Sequence, residues 1–236
     1  MTTQIRDSIQ LEDGQRYALE VVPLCVLFKR LVQPPKFGPT ISVNWRGYRA
    51  CWIVADGFLH HEGGSFTGDS RREPDGTLVD VPYDPDDCLL EEALFAHDRQ
   101  GAGMAAKIDD LRALPKDETG KYLASVKISK GFAPKDGIVH FDGLRGKTLR
   151  SLIGSPGAPV RATWYSGLLW MPAGESLGRG MRYWSEISSE AIVLLIDKGR
   201  VAEQWHLDLR AAHADEAVPK DIGGRWARLK RWVGRR

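Results

Sequence analysis

Gly143-Leu144-Arg145-Gly146-Lys147-Thr148 places a lysine and a hydroxyl behind a glycine-rich turn, the combination that cradles a phosphate. Such a loop needs its first glycine five residues before Gly146, where Phe141 stands, so the turn is two residues short and reads as a basic turn after a strand. Gly178-Arg179-Gly180 is weaker still, with no strand and helix pattern around it. His60-His61-Glu62 brings metal-capable side chains together in sequence, but neighbours on a strand point to opposite faces and do not chelate one ion. The acids Asp75, Asp80, Asp84, Asp86 and Asp87 lack the ordered spacing and central glycine of a calcium loop, and capping and solubility account for them. Tyr165-Ser166-Gly167 is not a nucleophile elbow, because Trp164 occupies the place of the first glycine. Cys51 lies in an apolar run, where an inert thiol is expected, and His140, His206 and His213 have no sequence-local carboxylate that singles one out as a base. The expectation is no catalytic residue, no metal and no cofactor.

The strongest compositional signal is at the C-terminal end. Arg225, Arg228, Lys230, Arg231, Arg235 and Arg236 carry six positive charges with no acid after Asp221. Trp226, Leu229 and Val233 fall at i, i+3 and i+7, so a helix over this tail would gather them on one stripe with cations around it. Such a helix either touches phosphate or anionic lipid or docks its stripe on the protein's own core, the cations then keeping it soluble.

The elements that must position these groups are mostly strands. Asp13-Gly14 sits between alternating apolar runs, a hairpin signal, and Asp56-Gly57 does the same between Ser42–Val54 and Phe58-Leu59. Ala191–Ile196, the turn Asp197-Lys198-Gly199 and the alternation Val201, Glu203, Trp205, Leu207 make the clearest hairpin, its first strand apolar enough to be covered on both faces and its second suited to an edge. Residues 62–87 are rich in Gly and Pro and read as a long loop, with one short strand near Leu78. Asp84-Pro85 reads as a helix start; Leu90, Leu94 and His97, then Met104, Ile108 and Leu111, recur at helical spacing until Pro115. The fold class expected is α+β: a predominantly antiparallel, sandwich-like β core with a helical insertion and a basic C-terminal helix. Residues 1–221 form one β-rich domain with an insertion at about 63–159 (the helical pair at 84–114, outside the sheet system), and 222–236 form the tail.

Of 236 residues, 42% are hydrophobic and 27% charged, which excludes wholesale disorder and rod-like folds, and the formal charge of +2 excludes electrostatics of the whole chain as the basis of partner choice. Cys25, Cys51 and Cys88 are far apart, which fits a reducing compartment. With no leader-like start and no apolar run of spanning length, a cytoplasmic protein that does not span a membrane is expected.

Thr40–Trp52, with Trp45-Arg46-Gly47-Tyr48 at its centre and Asp56–Leu59 after it, resembles a group of small bacterial proteins of no assigned activity that carry a Trp-Arg-Gly-Tyr segment ahead of a hairpin. Trp164-Tyr165-Ser166-Gly167 through Pro172-Ala173-Gly174-Glu175 is similar to that group's later segment, and Glu190–Asp208 to its closing strands. The resemblance covers about residues 9–62 and 160–208. It implies a compact β-rich domain in which Trp45, Arg46, Tyr48, Trp164 and Glu175 form core scaffolding or a shared binding face, packing being the commoner role of strand aromatics. The expected function is a non-enzymatic intracellular binding or accessory protein of a bacterial conflict or defence module, most simply with a protein partner. The alternatives are an enzyme whose site assembles only in the fold, and an accessory that grips nucleic acid or an anionic membrane surface through the basic tail.

Overall fold

A computed structural model describes residues 6–35, 37–38, 47–66, 68, 70–75, 77–80, 83, 89–94, 137–153, 158–179 and 186–210. Among these the chain is mostly β-sheet, with a few short helices. The strands are β1 (Asp7–Gln10), β2 (Arg16–Leu19), β3 (Tyr48–Ala55), β4 (Phe58–Phe66), β5 (Ser70–Arg72), β6 (Leu78–Asp80), β7 (Ile138–Val139), β8 (Val160–Arg161), β9 (Tyr165–Arg179), β10 (Glu186–Asp197) and β11 (Arg200–Asp208). The helices are α1 (Pro23–Phe28), α2 (Leu90–Ala93) and α3 (Leu149–Ile153), with a 3-10 turn at Phe141–Leu144.

Nine strands form one sheet in the order β2-β1-β3-β4-β11-β10-β9-β7, with β8 on β4; β5 and β6 pair separately. The three expected hairpins are present: β1–β2, β3–β4 and β10–β11 are antiparallel about Asp13-Gly14, Asp56-Gly57 and Lys198-Gly199. The sheet is mixed, because β3 lies parallel to β1, with Ser8, Ile9 and Gln10 opposite Cys51, Trp52 and Ile53. Parallel neighbours need a crossover, and α1 lies on it. Its signal is Pro23 at the first turn followed by apolar Leu24, Leu27 and Phe28, all buried.

The sheet is two halves joined at a narrow seam. β4 and β11 share one register pair, Phe58 and Arg200, and the join is completed by backbone bonds. The Leu59 N–H donates to the Gly199 carbonyl at 2.7 Å, Val201 N–H to Gly57 at 2.9 Å, Ala162 N–H to Leu59 at 2.9 Å and Gly199 N–H to Tyr165 at 2.8 Å. At the far side the Glu20 N–H donates to the Trp170 carbonyl at 3.1 Å, so the sheet curls until β2 meets β9. One hydrophobic core fills the curl, with Trp52, Trp164 and Tyr165 its largest fully buried side chains. Ala191–Ile196 is buried on both faces, while β11 alternates exposed and half-buried residues; it lies between β10 and β4 and not at the edge expected of it, because its start at Arg200 pairs with Phe58.

Described residues of the stretch 63–159 contribute to this core, among them Leu90 and Leu94 of the 84–114 pair expected outside the sheet system. Leu90, Leu94, Ile138, Val139, Leu144, Leu149, Leu152 and Ile153 are buried, and β7 pairs with β9. Nor does a helix run from 84 through His97: α2 is one turn, and Leu94 is already extended because its backbone bridges to Leu31. The rest of the expected helical pair and the C-terminal helix at 222–236 lie outside the described residues.

Candidate functional site

β9 turns away from the seam at Ser166, and there the fold assembles polar groups that are scattered in sequence. The Ser166 side chain is fully buried. Its Oγ lies 2.6 Å from His140 Nε2 at the end of β7, accepts the Lys198 N–H at 2.7 Å, and faces Asp197 Oδ1 at 3.5 Å. Burial first, and then the Lys198 charge, pull the His140 pKa below its ordinary value, against Asp197 and Asp142, which raise it. The ring is therefore neutral at pH 7. With Nε2 bare, the ring accepts a hydrogen bond from the hydroxyl; with Nε2 protonated, it donates and the hydroxyl turns to Asp197.

Serine, histidine and aspartate thus converge, but in the wrong order for nucleophilic catalysis. An acid that orients a base holds the imidazole nitrogen remote from the nucleophile, whereas Asp197 reaches the serine, and among the described residues no carboxylate accepts a hydrogen bond from His140 Nδ1. The oxygen is buried among these three partners. It fastens the β10–β11 turn to β9 and β7.

A second histidine is buried on β4. His61 is 1% exposed, its ring edge-on to Trp52 at 5.0 Å between centroids, and neither ring nitrogen has a hydrogen-bond partner among the described residues. Desolvation brings its pKa down to about 4, against the Leu152 and Ile153 backbone groups of α3. His60 points to the other face of β4 and is half-buried. Among the described residues no three His, Cys, Asp or Glu side chains converge as metal ligands.

The near-miss phosphate loop has a different use. The Gly146 N–H donates to Glu91 Oε2 at 3.3 Å, so a carboxylate of α2 sits where an anion would be held. Thr148 and Ser151 cap each other at the start of α3: Ser151 N–H donates to Thr148 Oγ1 at 3.1 Å and Thr148 N–H to Ser151 Oγ at 2.9 Å. Asp75 likewise accepts the Thr77 N–H at 2.8 Å in a turn. Cys51 is half-buried, and its sulfur accepts the Ser8 hydroxyl at 3.5 Å.

The residues singled out by resemblance separate. Tyr48 and Trp164 are buried, at 3% and 1% exposure. Tyr48 stacks on Phe66 and meets Phe28 edge-on, while Trp164 packs against Trp52 and Tyr165. Both therefore scaffold the core and present no ring to an incoming partner. Glu175 is exposed at a β9 irregularity, where its N–H donates to Ser189 Oγ at 2.8 Å. Trp45 and Arg46, and the tail cations Arg225, Arg228, Lys230, Arg231, Arg235 and Arg236, lie outside the described residues. The Ser166 cluster was out of reach of sequence reasoning because its members are separated by 26 and 31 residues and meet only through strand pairing. Compared with family models, curated proteins and solved structures, the chain matches none. The functional reading accordingly rests on geometry.

Proposed function

We propose that the chain is a non-enzymatic binding or accessory protein of the cytoplasm, built on a sandwich-like β core with a basic helix at 222–236. The observation that carries this reading is the state of Ser166, whose hydroxyl lies against a histidine yet is fully buried. A nucleophile needs an approach for substrate, and this side chain offers none. Isolated thiols at Cys25 and Cys51 fit a reducing compartment, and no helix among the described residues is long and apolar enough to cross a membrane.

The test is covalent labelling of the full chain with a fluorophosphonate, followed by peptide mass spectrometry. No adduct is expected at Ser166. Stoichiometric labelling there, lost in His140→Ala, would overturn the non-enzymatic reading.

A second reading has its own observation, the six tail cations without an acid after Asp221. Their local potential far exceeds what the net charge of +2 gives, so the tail is proposed to bind polyanions, with affinity falling steeply as salt rises. Removing residues 225–236 is expected to abolish this salt-sensitive component on duplex DNA and anionic vesicles while leaving the melting temperature unchanged. Loss of folding instead would place Trp226, Leu229 and Val233 in the core.

A further inference from the structure

The outer face of the first half-sheet carries a continuous row of residues that the sequence does not announce. Arg16 on β2 is opposite Gln10 on β1, Gln10 is opposite Ile53 on β3, Ile53 is opposite His60 on β4, and His60 is opposite Arg161 on β8. Directly opposed residues share a face, so these five side chains cross five strands in one line. At about 4.8 Å per strand the line is about 19 Å long, with a guanidinium at each end. The adjacent row is Ala55, Phe58 and Arg200, opposed across β3, β4 and β11.

The inner parity of the same strands, Ile9, Trp52, Leu59 and His61, is buried. Arg49, Arg161 and Arg200 are exposed, and the Arg16 side chain is 53% exposed. Among the described residues near these rows, Glu62 is already bound to Arg16 at 3.3 Å, Glu12 accepts the Gly57 N–H at the turn, and Asp56 at the same turn is close enough to act on His60. The guanidinium groups of Arg49, Arg161 and Arg200 face solvent beside Arg16, whose charge Glu62 offsets. Between them lie two flat rings: Phe58, with the Arg161 guanidinium 3.7 Å above its centre, and His60, which burial first and then Arg161 hold below the usual histidine pKa.

We propose that this face binds single-stranded nucleic acid laid across the strands. The guanidinium groups of Arg16, Arg49, Arg161 and Arg200 hold phosphates, and unpaired bases stack on His60 and on the Arg161 plane that Phe58 backs. A duplex keeps its bases stacked inside and cannot use the rings, and an acidic peptide would use the charges alone. A site about 19 Å long suits a short run of nucleotides, within the range that one β-domain covers. The inference rests on the reading of the chain as a binding protein, and it names residues other than the tail cations.

The experiment is fluorescence anisotropy of the full chain with labelled dT12 and rU12 at several salt concentrations. Wild-type protein is expected to bind both, with affinity falling as salt rises. The triple variant Arg49→Gln, Arg161→Gln, Arg200→Gln is expected to lose at least about tenfold in affinity, and its salt slope should shrink by about two, near 0.7 per lost phosphate contact. Phe58→Ala is expected to weaken binding by about tenfold with an unchanged salt slope, because stacking releases no counterions. If Phe58→Ala lowers the melting temperature, His60→Ala replaces it. Absence of wild-type binding, equal binding by the triple variant, or loss of all binding on removal of residues 225–236 alone would each overturn the assignment. A greater loss of affinity for a 12-base-pair duplex than for single strands in the triple variant, or equal competition by polyglutamate, would overturn the single-strand class. None of these results bears on Ser166, whose labelling test decides the underlying reading separately.

Discussion

Lowering the pH from 7.5 to 5.0 is expected to cost the folded protein about 2 kcal/mol, most of it through His61. The imidazole is 1% exposed, and burial holds its pKa at about 4 in the fold against 6.5 as an ordinary histidine. Between those values the unfolded chain binds a proton that the folded chain refuses. Stability is therefore complete above pH 6.5, declines as the pH falls, and stops declining for this group near pH 4. The full interval corresponds to about 3 kcal/mol, at about 1.4 kcal/mol per pH unit. His60 and His140 are lowered too and act in the same direction. Asp75 and Asp208 are exposed carboxylates held below 3.8 by turn hydrogen bonds and contribute only at lower pH. Urea unfolding at the two pH values measures the loss directly. His61→Leu keeps an apolar side chain of similar volume beside Trp52 and removes the titrating ring, so its midpoint should move far less with pH. Equal losses in wild type and variant would assign the effect elsewhere.

The hairpins were legible in the sequence for a local reason. Asp13-Gly14, Asp56-Gly57 and Lys198-Gly199 are short-range signals, and alternation on either side sets the register without reference to anything distant. The parallel pairing of β1 with β3 was not legible, because it follows from a crossover through α1 whose six residues give too short a period to read. The burial of Leu90, Leu149 and Leu152 was not legible either: helical spacing marks Leu90 without saying what it packs against, and only the tertiary bridges Leu89 to Thr148 and Leu31 to Leu94 show that these segments return to the core. The site followed the same rule. Nothing local in the sequence says that Ser166 and His140 touch, and the arginine row exists only once five strands are in register.

That dependence on register makes the seam a sensitive point of the sheet, and Gly199→Ala is expected to destabilise the protein by about 3 kcal/mol or more. Gly199 has φ of 78°, where an alanine is strained, and a Cβ there would stand 2.8 Å from the Ala162 carbonyl carbon and oxygen. Both neighbours are backbone, so no rotamer change relieves the overlap, and the strain and the overlap each cost about 1–3 kcal/mol. The same residue carries two of the seam's hydrogen bonds, from Leu59 N–H and to Tyr165. Its neighbour Lys198 donates the N–H that reaches Ser166. Displacing the turn thus loosens the join between the half-sheets and the Ser166 fastening together. Gly14→Ala is the control. Gly14 has a similar φ of 82° with no atom within 4 Å of the added methyl, so it carries the backbone strain alone and should cost about 1 kcal/mol. Chemical denaturation of both variants separates the two contributions. Equal losses would show that the contact with Ala162 relaxes freely and that the seam is not rigid, whereas a deficit confined to Gly199→Ala, together with weaker amide-exchange protection at Leu59 and Val201 than in the control, would locate the join of the fold at this turn.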